Sequence, residues 1–287
     1  MKLAGPSGTI STISAQELRE LIDTRRSEEY LLVDVRQPEE YAKHHIPGAQ
    51  LIPLFDLDAH LDDLVAAREP VIIFYCRSGA RSIRAAELAS AHGVPHVANL
   101  VGGILAWQGE RLPSMPNLRV FADTESLGDL LIAALDLEKG AHRLYEALYQ
   151  HFAGTSIDNV LKRLTWVEVG HERVVYQLLV EYSDSPVPPF TELMAKLRGD
   201  VLESGDPIDE VLDCARSLAV FGAAAVLELA LELELRAYDM YRALAHQATN
   251  DKFRDAFLTL ANQENAHARH VLEALVKVTE DNSSWVD

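Results

Sequence analysis

An internal repeat constrains this chain more than any other feature. Shifted by 96 positions, one long periodic stretch falls on another without a gap. Leu131, Ala134, Glu138, Ala141, Tyr145 and Leu148 recur as Leu227, Ala230, Glu234, Ala237, Tyr241 and Leu244, with all six residue types matching. Leu161, Leu164, Glu168, His171 and Val175 recur as Phe257, Leu260, Glu264, His267 and Val271, with four of five matching. Steps of three and four place each set on one face of a helix. The periodicity predicts helices over 124–152, 157–182, 208–247 and 251–279. Between the second and third lie the run Ser183 to Pro189 and a connection long enough to return along a helix. Two helical hairpins joined by one long crossover form a four-helix bundle.

The seams of these helices are apolar except where they carry acid or imidazole. A carboxylate buried alone costs several kcal/mol, so Glu138, Glu168, Glu234 and Glu264 require a charged partner or a metal ion. Glu168 to His171 and Glu264 to His267 both read Glu-x-x-His, which puts carboxylate and imidazole on one face a turn apart. One Glu from each of two helices, with Glu-x-x-His from the other two, is the ligand set of a carboxylate-bridged pair of metal ions. Oxygen and imidazole donors suit iron, with manganese as the alternative. The competing reading is a set of buried salt bridges around an empty site. Tyr145 and Tyr241, two turns after the seam glutamates, are placed to donate hydrogen bonds to ligand carboxylates. Asp136 and Glu232 are turned about 200° from the seam and are expected at the surface. His142, His246 and His270 lack repeat partners and are read as non-ligands.

Residues 1–115 have a different texture. Tyr30 to Val35 and Val71 to Tyr75 are short β-rich runs, and Ser14–Asp23, Pro38–His44 and Ala80–His92 are helix-like. Ser14 and Glu17 form a capping-box pattern, and Pro38 suits a first helical turn. Alternation of strand and helix predicts a parallel sheet covered on both faces. Leu112 to Pro116 breaks the pattern, so the chain divides into 1–115, a linker over 116–123, and a bundle over 124–287.

Cys76 ends the second apolar run and opens Cys76-Arg77-Ser78-Gly79-Ala80-Arg81, which leads into a helix. At a parallel strand's carboxyl end the unpaired N–H groups of 77–81 form a nest for an anion. Arg77 and Arg81 add positive charge, which favours thiolate and a nucleophilic Cys76. The plainer alternative is a buried thiol that closes a strand. Asp34-Val-Arg36, Glu40-Tyr41, His45-Ile-Pro-Gly-Ala49, the Cys loop and Gly102-Gly-Ile-Leu-Ala-Trp107 follow one another in an order that resembles a single rhodanese domain over residues 8–112. The resemblance implies a sulfurtransferase in which Cys76 takes sulfane sulfur from a thiosulfate-like donor and yields it to a thiol or cyanide-like acceptor. It further implies that Arg77 to Arg81 bind the anionic donor, while Asp34 and Arg36 form a supporting ion pair. Phosphatases of related fold place five residues between Cys and Arg. Here four separate Cys76 from Arg81, and the next position is Ser82.

Residues 124–280 resemble the rubrerythrin-type members of the ferritin-like superfamily. The resemblance implies two iron ions held by Glu138, Glu168, His171, Glu234, Glu264 and His267. Two departures stand out. The family carries a further glutamate one turn after the third-helix ligand, where this chain has Ala237. It also commonly carries a Cys₄ iron site, which the two cysteines Cys76 and Cys214 cannot build. Redox chemistry with peroxide or oxygen therefore calls for an external electron donor. The alternative is a bundle that only binds or senses iron, or dimerises. Cys214 is expected to be structural, among apolar neighbours.

Composition sets the remaining expectations. A net charge of −18 over 287 residues disfavours nucleic acid and anionic membranes as partners. Two cysteines exclude a disulfide framework and fit a reducing compartment. Met1 to Gly8 lacks a signal-peptide core, and Leu218 to Leu227 is half a membrane span, so the cytoplasm is the expected location. A homodimer is expected from the bundle's resemblance.

Overall fold

The computed structural model describes residues 10–67, 71–122, 124, 126–183, 185–248 and 251–283. Met1 to Gly8 and the leader reading made there lie outside the described residues. The chain separates into two compact units, Met1–Met115 and Pro116–Asp287.

In the first unit β1 (Ile10–Ile13), β2 (Leu31–Asp34), β3 (Gln50–Leu51), β4 (Ile72–Tyr75) and β5 (Val97–Leu100) form one sheet in the order β1-β5-β4-β2-β3. Every pairing is parallel. Successive residues of a strand face opposite sides. Thus Leu32, Ile73 and Tyr75 enter one core, while Leu31, Val33, Ile72, Phe74 and Cys76 enter the other. Helices α1 (Ala15–Thr24), α2 (Pro38–Lys43), α3 (Leu61–Ala66), α4 (Ala80–His92) and α5 (Gly103–Ala106) complete the unit. The capping box at the start of α1 is formed by Ser14 and Glu17. The short β1, β3 and β5 were not expected. The first and last of these pair along their whole length, so backbone hydrogen bonding makes strands of sequences with little intrinsic pattern.

In the second unit the hairpins are α6 (Leu127–His151) with α7 (Asp158–Tyr182), and α10 (Ala223–Gln247) with α11 (Asp251–Ser283). Leu131, Leu135, Val175, Leu179, Tyr241, Phe257 and Leu260 meet in one core. The crossover carries α8 (Phe190–Lys196) and α9 (Ile208–Leu218).

Four expectations need correction. The single helix over 208–247 is two, because Gly222 takes φ 101 and interrupts the ladder between α9 and α10. The segment 116–123 is not a bare linker: residues Leu118–Phe121 form a 3₁₀ turn, and Phe121 is buried in the bundle core. Asp136 is half-buried, accepting from the Gly199 N–H at 2.8 Å, because the crossover lies over that face of α6. Cys214 is exposed, since α9 buries Ile208, Val211 and Ala215 instead. Among the described residues no helix is long and apolar enough to cross a membrane.

Candidate functional site

β4 is the central strand, and Cys76 follows its last residue. Gly79 adopts φ 100, which turns the chain back so that α4 starts at Ala80. The Gly79 N–H donates to Cys76 Sγ at 3.1 Å, and the Ser82 hydroxyl lies 3.5 Å from the same sulfur. Burial raises the thiol's pKa, but hydrogen bonds from Ser82, Gly79 and Ser78 outweigh it and leave the thiol below its ordinary value. Arg77, Ser78 and Ala80 are exposed, so the loop faces solvent. Ser82, which the sequence reading used only to exclude a wider loop, is fully buried beside the thiol.

Neighbouring segments hold this loop in place. Gly103 stands where a Cβ would lie 2.3 Å from the Cys76 carbonyl oxygen. With glycine there, the Ile104 N–H reaches that oxygen at 2.8 Å and the Leu105 N–H reaches the Arg77 oxygen at 3.1 Å. Arg81 makes an ion pair. Its guanidinium is bidentate to Glu40 at 2.7 and 2.8 Å, and the bond draws the Glu40 carboxyl down to about 2. Arg36 and Asp34 form a buried pair at 2.6 Å, and the same Nη2 donates to the His44 carbonyl at 2.8 Å. That pair ties the end of β2 to the end of α2.

In the bundle, all six repeat-defined residues converge and all are buried. His171 Nδ1 lies 3.2 Å from Glu138, 3.4 Å from Glu168 and 3.1 Å from Glu264. His267 Nδ1 lies 3.2 Å from Glu234, 3.5 Å from Glu168 and 3.8 Å from Glu264. The two rings stack at 4.1 Å. Glu168 and Glu264 therefore face both imidazoles, whereas Glu138 and Glu234 each face one. This is a two-lobed site with two shared carboxylates, and its donor atoms fall into three overlapping groups able to hold a cation. Burial opposes an imidazolium at His267, but hydrogen bonds to Glu168 and Glu234 push its pKa up to about 10. The facing acids thus favour protons on the imidazoles, and metal ions would compete with those protons for the same nitrogens. On donor type, number and burial the residues fit two metal ions.

The tyrosines cross between the repeats. Tyr145 donates to Glu234, and Tyr241 donates to Glu138 at 2.8 Å. Three buried acids of the bundle were missed, Glu172, Glu203 and Asp239. Glu172 bonds His142 at 2.9 Å, and Glu203 of the crossover lines a cleft with Glu168, Glu234 and Glu264. Glu172 has Ala268 as its repeat counterpart, and Glu203 lies outside the repeat, so the periodicity held no signal for either. His246 lies away from this cluster of donors, and burial together with Arg242 and Arg254 keeps it well below the usual imidazole range. His270 takes a hydrogen bond from Arg163 at 3.0 Å.

A cradled thiol at a central parallel strand, in a chain that ends in a four-helix bundle, defines a two-domain protein of α/β and ferritin-like folds. The first part matches the rhodanese-like domain over residues 14–110, and the second matches rubrerythrin over residues 225–286. Over 105 residues the chain is 39% identical to a sulfurtransferase of Allochromatium vinosum, spanning 36% of this chain and 94% of that protein. It is 38% identical over 104 residues to the putative sulfurtransferase YtwF of Bacillus subtilis, spanning 36% of this chain and 96% of the relative. A solved rhodanese-like domain protein from Staphylococcus aureus is 29% identical with a TM-score of 0.32, covering 36% of this chain and 98% of its own. The chain belongs to the rhodanese-like family of sulfurtransferases, and it also carries a rubrerythrin domain.

Proposed function

We propose that the chain moves sulfane sulfur through a persulfide on Cys76 and that its bundle holds two iron ions, or manganese in their place. The observation that carries the first part is the Gly79 N–H on Cys76 Sγ, at the amino terminus of α4. The Cys76 thiolate attacks the outer sulfur of a thiosulfate-like donor. A new S–S bond forms, the donor's S–S bond breaks, and sulfite leaves with the electron pair. Backbone N–H groups of the 77–81 loop hold the anionic outer sulfur. A thiolate or cyanide then attacks that sulfur and returns Cys76 as thiolate. Exposed Arg77 attracts the anionic donor, while Arg81, bound to Glu40, braces the loop. Cys76→Ser should abolish thiosulfate-to-cyanide sulfur transfer, and transfer that survives would refute the assignment.

In the bundle, Glu138, Glu168, His171, Glu234, Glu264 and His267 would hold the ions, and Tyr145 and Tyr241 would orient the outer glutamates. Bound iron supplies one-electron chemistry with peroxide or oxygen, fed by an external reductant. Elemental analysis of iron-supplied protein should give close to two ions per chain, and Glu138→Ala or His267→Ala should lose them. Consumption of peroxide with a supplied reductant tests the redox part. Sedimentation of the metal-loaded chain tests the homodimer that belongs to this reading.

A further inference from the structure

Among the described residues that line the bundle's cleft, Glu203 is the one acid that comes from neither hairpin. It is 8% exposed, and it lines a narrow cleft together with Tyr145, Glu168, Glu234 and Glu264. The turn that carries it is fixed on both sides. Val201 and Pro207 form an antiparallel bridge, and the Gly205 N–H donates to the Leu202 carbonyl at 2.8 Å, closing the turn around Glu203. Asn117 Nδ2 donates to the Ser204 carbonyl at 3.0 Å. Gly140 of α6 lets the turn approach, because a Cβ there would lie 2.4 Å from the Val201 oxygen. Leu202, the preceding residue, is 1% exposed and anchors the turn in the bundle. Ala141 and its repeat counterpart Ala237 line the same cleft.

A fifth buried carboxylate beside four others is unfavourable unless a proton or a cation neutralises it, and two metal ions in the cleft would supply the cation. We propose that Glu203 is a fifth carboxylate ligand of the metal centre, delivered by the crossover. This rests on the two-ion reading of the bundle. It makes the two ions inequivalent, since nothing in the repeat supplies Glu203 with a twin.

Cobalt(II) titration of the full chain without oxygen, followed by visible absorption and by ion count, tests the assignment. Wild type should take two ions. Glu203→Gln should keep one at wild-type affinity, bind the other about 10- to 100-fold more weakly, and change band intensity as coordination number falls. Melting of the metal-free variant checks its fold. If that variant does not fold, Glu203→Asp, one methylene shorter, should show the same selective loss. Two ions bound with wild-type affinity and a superimposable spectrum overturn the Glu203 assignment and leave the two-ion reading standing. Equal weakening of both ions with an unchanged spectrum also overturns it, since that is the effect of charge without coordination. A wild type that binds no cobalt removes the two-ion reading and this proposal together.

Discussion

At Cys76 the decisive partners are small. The Gly79 N–H and the buried Ser82 hydroxyl reach the sulfur, whereas Arg81 spends both nitrogens on Glu40. Ser82→Ala should therefore raise the thiol pKa, and the rate of Cys76 alkylation by iodoacetamide should rise at higher pH than in wild type. An unshifted profile would assign the lowering to backbone alone. The Glu40–Arg81 bond has its own signature. The Glu40 carboxyl is drawn from 4.5 to about 2, so it binds fewer protons folded than unfolded. The stability it contributes is complete above the unfolded value and is lost as pH falls toward about 2. Both side chains are about one-third exposed, so solvent screens the pair and the gain is modest. Urea midpoints measured across that acid range should fall less steeply in Glu40→Gln than in wild type. The Arg81 pairing was not legible in the sequence, because Glu40 lies 41 residues away and only the tertiary fold brings them together.

At the scale of elements, close approach governs. Gly103 of α5 and Gly140 of α6 each admit a backbone carbonyl where a methyl group would stand. Replacing Gly103 by Ala forces the Cys76 carbonyl away, at a cost of about 1–3 kcal/mol typical of overpacking. Sulfur transfer should drop sharply while metal content stays constant, which assays on one preparation can check. Gly140→Ala should instead lower the melting temperature of the second unit and leave the transferase intact. Periodicity predicted the long helices because each buries a stripe on a regular cylinder. It missed the break at Gly222 because apolar residues continue through it, from Leu218 to Leu227. It missed β1 and β5 because Ser11, Thr12 and Asn99 interrupt their apolar runs, whereas the equally short β2 and β4 are almost wholly apolar.

For the whole molecule, each unit buries its own core, so each should unfold as its own cooperative step. Calorimetry of metal-free protein should resolve two transitions. Bound metal should raise only that of the bundle, by about 4 kcal/mol per ion when free ion stands at 1,000 times its dissociation constant. A shift in both transitions would mean that the units melt together.

The sequence by itself determined which residues face inward on the long helices, because a helix maps a linear spacing onto one face. It thereby singled out six ligand-type residues before any contact was known, and a strand end with a thiol before a helix. Tertiary structure alone decided what those groups meet. Glu168 and Glu264 face both imidazoles, the tyrosines cross between repeats, Arg81 pairs with Glu40, and Glu203 enters from the crossover. The reason is physical. Periodicity encodes the direction of a side chain from its own backbone, while a contact across elements depends on how two backbones approach, which no local spacing carries.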